Sequence, residues 1–123
     1  MVSVDGICEN LKNIILLMDN RDRNIDIIRL FIAKLELTKI NNHGEEIRQY
    51  ELSLSNLINI LKNRENSVKV YKESMVLLDR IMLALNNILD EAKEQEIQNR
   101  KNLSDHRVSQ LIAELDLINA IEM

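Results

Sequence analysis

The residues of this chain that could carry out acid–base or metal chemistry are few and far apart. His43 is followed by Glu45 and Glu46, so an imidazole and two carboxylates are close in sequence. Such groups can bind a metal ion or move a proton when further ligands converge on them, and the sequence predicts none nearby. His106, the second of the two histidines, is predicted to lie in a first helical turn and to be solvated. We therefore predict polar surface roles for both histidines and no metal.

The single cysteine and the two glycines also lack a catalytic context. Cys8 has no activating base adjacent in sequence, and we predict a small buried apolar role for it. As the only cysteine it cannot form an internal disulfide. Gly6 and Gly44 are too far apart for a phosphate-binding loop. These absences predict that the chain is not an enzyme and needs no cofactor.

Two polar segments interrupt otherwise regular apolar patterns, at residues 19–24 and 63–67. If the chain folds back on itself between them, the two segments meet, and polar groups are cheaper to bury facing each other than facing leucine. We favour a register-setting polar layer, and the alternative is a recognition patch for a charged partner. A buried layer of this kind predicts that Arg64→Leu raises thermal stability. The predicted layer consists of Arg21, Asp22, Arg64 and Glu65.

Composition indicates long helices packed side by side. The 123 residues include no proline, two glycines and three aromatic residues, and 29% are charged. The length predicts one domain, residues 1–123. The net charge is −4, and the excess of acids lies entirely within residues 83–123. Without a basic face, neither nucleic acid nor an anionic membrane is a predicted partner.

A heptad ladder in the middle of the chain predicts the architecture. Two apolar rows that alternate at spacings of three and four keep one stripe of a helix facing a partner, which is the seam of a coiled coil. Arg64 is the one charged residue in either row. The first row is Ile47, Leu54, Leu61, Val68, Met75, Met82 and Leu89, and the second is Tyr50, Leu57, Arg64, Tyr71, Leu78, Leu85 and Ala92.

Chain-breaking residues divide this pattern into three predicted helices, about 4–41, 45–101 and 105–122. Asn41 to Gly44 suit a helix end, and residues 102–105 offer a second break with a good N-cap. Short turns at both breaks predict an all-α, elongated antiparallel bundle or coiled coil of three helices with a long central helix. In the competing fold, the polar segments are true breaks and the chain forms five shorter helices.

The segment from Met75 to Leu89 is apolar on nearly every side. A two-helix seam needs only about two apolar positions in seven, so this segment predicts more covering helices than the chain supplies. We therefore expect a second copy or another protein to pack there. The predicted partner or oligomer interface is Met75, Leu78, Met82, Leu85, Ile88 and Leu89.

These observations predict a non-enzymatic coiled-coil interaction protein, a scaffold or adaptor subunit that self-associates or packs with partner helices. It is predicted to be a homodimer or part of a hetero-oligomer. The alternative is a small acidic helical chaperone for secretion or assembly, or an inhibitor that masks a partner's surface. No basic segment precedes an apolar stretch at the start, and the longest apolar run, Ile14 to Met18, is too short to span a membrane. The predicted location is therefore cytoplasmic, as a soluble intracellular protein without membrane insertion.

Overall fold

The chain is all-helical in the computed structural model, which confirms the predicted fold class at that level. The model describes residues 3–38, 40 and 43–122, with the side chains of 103–105 and 116–122 left aside. No strand is present within these ranges. The helices are α1 (Asp5–Leu17), α2 (Asn24–Glu36), α3 (Gly44–Lys62) and α4 (Val68–Glu122).

The residues group into two compact units. Unit 1 is Met1–Leu89 and contains α1, α2, α3 and the first part of α4, whereas unit 2 is Asp90–Met123. The boundary falls within α4. Among its described residues, unit 2 is a single helical segment.

Within unit 1, α1 and α3 run in the same direction. Asn10 Nδ2 donates a hydrogen bond to the Glu51 carbonyl oxygen at 2.9 Å. Seven residues further along α1, the Leu17 carbonyl oxygen accepts a hydrogen bond from Arg64, just beyond the end of α3. Because both partners advance along the sequence together, the two helices are parallel.

The helices α2 and α4 are likewise parallel within unit 1. Tyr71, in the first turn of α4, contacts Asp22 just before α2, and the Lys34 ammonium donates to Asn86 Oδ1 further along both helices. The Lys12–Glu36 ion pair at 3.1 Å joins the middle of α1 to the end of α2, so these two helices run in opposite directions across their short connection. Successive helices of unit 1 therefore reverse direction, as expected where short connections join neighbours in a bundle.

One apolar core joins the four helices of unit 1. Its fully buried members come from every helix, at the helical spacing that places them on one face. The thiol of Cys8 lies in this core, which confirms its predicted apolar role. The most deeply buried side chains include Ile7, Leu11, Ile14, Ile28, Leu35, Leu54, Leu57, Leu78 and Leu85.

The prediction of one first helix over 4–41 is wrong, because the chain leaves the helix between α1 and α2. The Asp19 carboxylate accepts a hydrogen bond from the backbone N–H of Arg21 at 3.0 Å, and the Asp22 carboxylate accepts one from Asn24 at 2.9 Å. Aspartate side chains that bond the backbone two residues ahead offer it an alternative to the helix. Residues 41 and 42 lie outside the described residues.

The prediction of one middle helix over 45–101 is also wrong, because α3 ends at Lys62 and α4 begins at Val68. Glu65 and Asn66 adopt positive φ angles of 51° and 66°, a left-handed backbone that cannot continue a right-handed helix. Ser67 then accepts a hydrogen bond from the Val70 N–H and helps start α4. Both polar segments are true breaks, as the competing fold expected.

The predicted break at 102–105 and the separate helix over 105–122 are wrong, because α4 continues to Glu122. This segment contains no glycine or proline, and asparagine, serine and aspartate each cost at most about 0.7 kcal/mol within a helix. The side chain of Gln98 donates a hydrogen bond to Asn102 Oδ1, four residues later, as side chains on one face of a continuous helix can. The predicted fold-back, and with it the three-helix arrangement, is absent from the described structure.

Candidate functional site

A cluster of polar side chains lies where the breaks between α1 and α2 and between α3 and α4 come together. We call Asp19, Asp22, Arg64 and Tyr71 the polar node. The Tyr71 hydroxyl donates a hydrogen bond of 2.6 Å to Asp22 Oδ2 and accepts one of 3.2 Å from the backbone N–H of Asp19. One phenol therefore links the α1–α2 connection to the first turn of α4.

Arg64 completes the polar node from the other side of Tyr71. Its guanidinium carbon lies 4.4 Å from the centre of the Tyr71 ring, a cation–π geometry. The same group donates to the Leu17 carbonyl oxygen at 3.3 Å, and this carbonyl belongs to the last turn of α1. Because the final carbonyl oxygens of a helix lack intrahelical partners, Arg64 also acts as a C-terminal cap of α1.

The polar node contains two of the four predicted layer residues. Asp22 and Arg64 are half-buried and contact Tyr71, whereas Arg21 and Glu65 are exposed. Sequence reasoning placed Tyr71 on the seam and missed its central role in the node. The sequence contains one sign of this role, because Tyr71 follows Arg64 by seven residues in the second row of the ladder.

The surroundings of the Tyr71 hydroxyl determine how readily it gives up its proton. Partial burial raises the pKa of the Tyr71 hydroxyl, and its hydrogen bond to Asp22 raises it further. A phenol that holds its proton more tightly is a poorer general base at neutral pH. An open cleft of about 230 Å³ adjoins the node and is lined by Asp19, Arg64, Asn66, Ser67, Val68 and Tyr71.

Alkaline pH is expected to destabilise unit 1 through Tyr71. Its pKa is higher in the folded state than the ordinary value of 10.0, so folding is favoured while the phenol stays protonated. This contribution is complete below about pH 10 and is lost as the pH rises through the folded pKa. Denaturant titrations at several pH values should show a steeper alkaline loss of unfolding free energy for the wild type than for Tyr71→Phe. Equal slopes for the two proteins would contradict the assignment.

The predicted interface residues lie in the core of unit 1. Met75, Leu78, Met82, Leu85, Ile88 and Leu89 are each less than 10% exposed and share one apolar cluster with residues of α1, α2 and α3. The chain itself therefore covers these six residues, whereas Val76, Leu77 and Leu83 of the same segment stay 42–63% exposed. The role of the six covered residues in an interface stays a prediction.

A different apolar surface is open in unit 2. We call Val108, Leu111, Ile112 and Leu115 the distal face of α4. Their spacing of three, four and seven residues places them on one side of a helix. Each is 52–59% exposed, and Ile97, earlier in the same unit, is 58% exposed.

The histidines and the thiol form no site with the other described groups. His43 lies 3.4 Å from Glu46 at the start of α3, and His106 is exposed within α4. Among the residues that the structure describes, no cluster of histidine, cysteine and carboxylate groups could hold a metal ion. Burial raises the pKa of the Cys8 thiol, with the nearby Glu36 carboxylate as a further cause, so the thiol stays protonated.

We find no significant match to this chain among protein-family models, curated proteins or solved structures. Within the described part of the chain, no helix is both long and apolar enough to cross a bilayer.

Proposed function

We propose that this chain is a non-enzymatic interaction protein that binds another helix through the distal face of α4 and so acts as a scaffold or adaptor subunit. The observation that carries the proposal is four large apolar side chains, each more than half exposed, aligned on one side of a helix. In the described residues of unit 2, no second helix lies over them.

Helix energetics support this proposal. Most helices in proteins are stabilised mainly by tertiary packing of an apolar face, and an unpacked helix has only its intrinsic propensity and local side-chain pairs. The local pairs in unit 2 include the Glu96–Arg100 ion pair at 2.7 Å and the hydrogen bond from Gln98 to Asn102. An exposed ion pair at this spacing adds only about 0.3–0.5 kcal/mol. A covering helix would supply the missing packing.

Affinity capture with the full chain tests this proposal. The wild type, tagged and expressed in its source cells, should retain a defined set of proteins, including any untagged copies of itself. Leu111→Ser combined with Leu115→Ser should lose that set. Leu16→Ser combined with Leu30→Ser removes two exposed leucines of unit 1 and should retain it.

Two outcomes of this capture would contradict the proposal. If the wild type retains no protein, or if both double variants lose the same proteins, the distal face is not the binding surface. Tyrosine fluorescence should show the wild-type denaturant midpoint for Leu111→Ser combined with Leu115→Ser, because both tyrosines lie in unit 1. The midpoint of Leu16→Ser combined with Leu30→Ser should stay close to it, because both leucines are exposed.

A small acidic chaperone or inhibitor is the second candidate, favoured by the position of the acidic excess within residues 83–123. Glu91 and Glu94 are exposed, whereas Glu96 is paired with Arg100. Reversing both free carboxylates with Glu91→Lys and Glu94→Lys should abolish capture of a basic client. A partner held by the distal face should be retained by this variant.

A further inference from the structure

Charges of opposite sign flank the distal face along one edge. Arg107 directly precedes Val108, and Glu114 directly precedes Leu115. Both charged side chains are exposed, and a spacing of seven residues places them on the same side of α4. They are about 10 Å apart along the helix axis, too far to form an ion pair within one helix.

A second copy in antiparallel orientation brings these charges together. When Val108 of one copy lies opposite Leu111 of the other, Arg107 lies beside Glu114 of the second copy. The two-fold axis repeats this pair, because in a symmetric dimer each contact occurs twice. Flanking charges of this kind set partner choice and orientation in coiled coils.

The parallel arrangement lacks this complementarity. In a parallel, in-register dimer each residue of the face meets its own copy, and Arg107 flanks Ile112 of the second copy instead of a carboxylate. Lys101, which is exposed and lies seven residues before Val108, would then face Lys101 of the second copy. Like charges in direct opposition are unfavourable, so the charge pattern selects the antiparallel orientation.

We propose that the distal face of α4 is a self-association surface on which a second copy of this chain docks in antiparallel orientation, with Arg107 of each copy paired to Glu114 of the other. This proposal rests on the proposed function and names the partner. In this register Val108 and Leu111 of each copy form the apolar centre and Ile112 and Leu115 lie at its edges, far fewer than the roughly 20–30 residues a side of a standard interface. The complex is therefore a weak dimer whose population depends on concentration.

Charge reversal in the full chain tests the pairing. Sedimentation equilibrium of the purified wild type over a wide concentration range should show a reversible dimer. Arg107→Glu and Glu114→Arg should each raise the dissociation constant roughly tenfold, because each replaces two attractive pairs with two repulsive ones. The double variant R107E/E114R restores both pairs in exchanged form, keeps the net charge of −4, and should return to within about threefold of the wild type.

Two further arms control for effects of net charge. An equimolar mixture of Arg107→Glu and Glu114→Arg should form a heterodimer more tightly than either protein forms a homodimer. Lys72→Glu makes the same change in charge as Arg107→Glu at an exposed site of unit 1, and it should dimerise like the wild type.

Three results would overturn the antiparallel dimer: a wild type that stays monomeric at the highest concentration, single variants that match the wild type, or a double variant as weak as the singles. If the wild type is monomeric but affinity capture still retains another protein through the distal face, only the second copy is rejected as partner. If capture also fails, the proposed function fails with it.

Discussion

Replacing Leu54 with alanine is expected to lower the free energy of unfolding of unit 1 by about 2–5 kcal/mol. Leu54 is 0% exposed and lies on the inner face of α3, within the core that joins the four helices. Removing its side chain costs the transfer free energy of the lost carbons and leaves a cavity. Since whole domains are stable by only about 5–15 kcal/mol, this one change removes a large part of the total.

Leu52→Ala is the matched control for this prediction. Leu52 has the same side chain two residues earlier in α3 but is 62% exposed. Its truncation should change the free energy of unfolding by no more than about 0.5 kcal/mol. Denaturant unfolding followed by tyrosine fluorescence reports unit 1 selectively, because the chain has no tryptophan and both tyrosines lie there. Similar losses for the two variants would show that α3 does not bury the Leu54 side chain.

Tyr71→Phe is expected to lower the free energy of unfolding by about 1–3 kcal/mol. The change removes the donor to Asp22 and the acceptor for the Asp19 N–H, while the ring that packs against Arg64 remains. The half-buried Asp22 carboxylate then loses a charge-assisted hydrogen bond, and such bonds are among the stronger ones in proteins. Tyr50→Phe, at a half-buried tyrosine of α3, provides the control and should cost less than about 0.5 kcal/mol.

Arg64→Leu should also destabilise unit 1, which reverses the expectation from sequence alone. A leucine in a continuous helical seam would add apolar packing, but Arg64 lies in the connection between α3 and α4 and caps α1 through the Leu17 carbonyl. Arg64→Lys keeps the charge and loses the planar group that stacks on Tyr71, so its stability should fall between wild type and Arg64→Leu. An Arg64→Leu protein more stable than the wild type would reject this role.

The heptad ladder predicted which residues are buried better than it predicted where helices end. Ile47, Leu54 and Leu61 are buried in α3, and Met75, Met82 and Leu89 are buried in α4. Between the two sets, Val68 is 65% exposed at the first residue of α4. Apolar spacing reports which side of a helix faces the core, and it continues in phase across a short break. The ends of helices depend on side chains that compete for backbone hydrogen bonds, and the spacing of apolar residues gives no information about that competition.

The polar node was predictable only in part for a related reason. Placing the two polar segments opposite each other was enough to predict that Asp22 and Arg64 lie in one region. The identity of the third partner, Tyr71, depends on the left-handed backbone at Glu65 and Asn66. A continuous helix would place Tyr71 elsewhere, and a single sequence gives no direct sign of positive φ at a glutamate.

The distal face shows the opposite case, in which the sequence identified the residues and misassigned their surroundings. The spacing of Val108, Leu111 and Leu115 correctly predicted one apolar side of a helix. Their expected cover was a fold-back onto the middle helix, which required a turn near residue 103. Without glycine or proline there, continuing the helix is less costly than breaking it, and the apolar side stays open.

Because Cys8 is buried, the reaction of its thiol with alkylating reagents can report when unit 1 opens. This thiol is the only one in the chain, and it lies in the core with a raised pKa. Alkylating reagents therefore reach it only when unit 1 opens, and the rate of modification measures that opening. The native surface is correspondingly free of competing thiols. A single cysteine introduced on an exposed position of α4 can then carry a spin label or fluorophore selectively, without first removing the natural one.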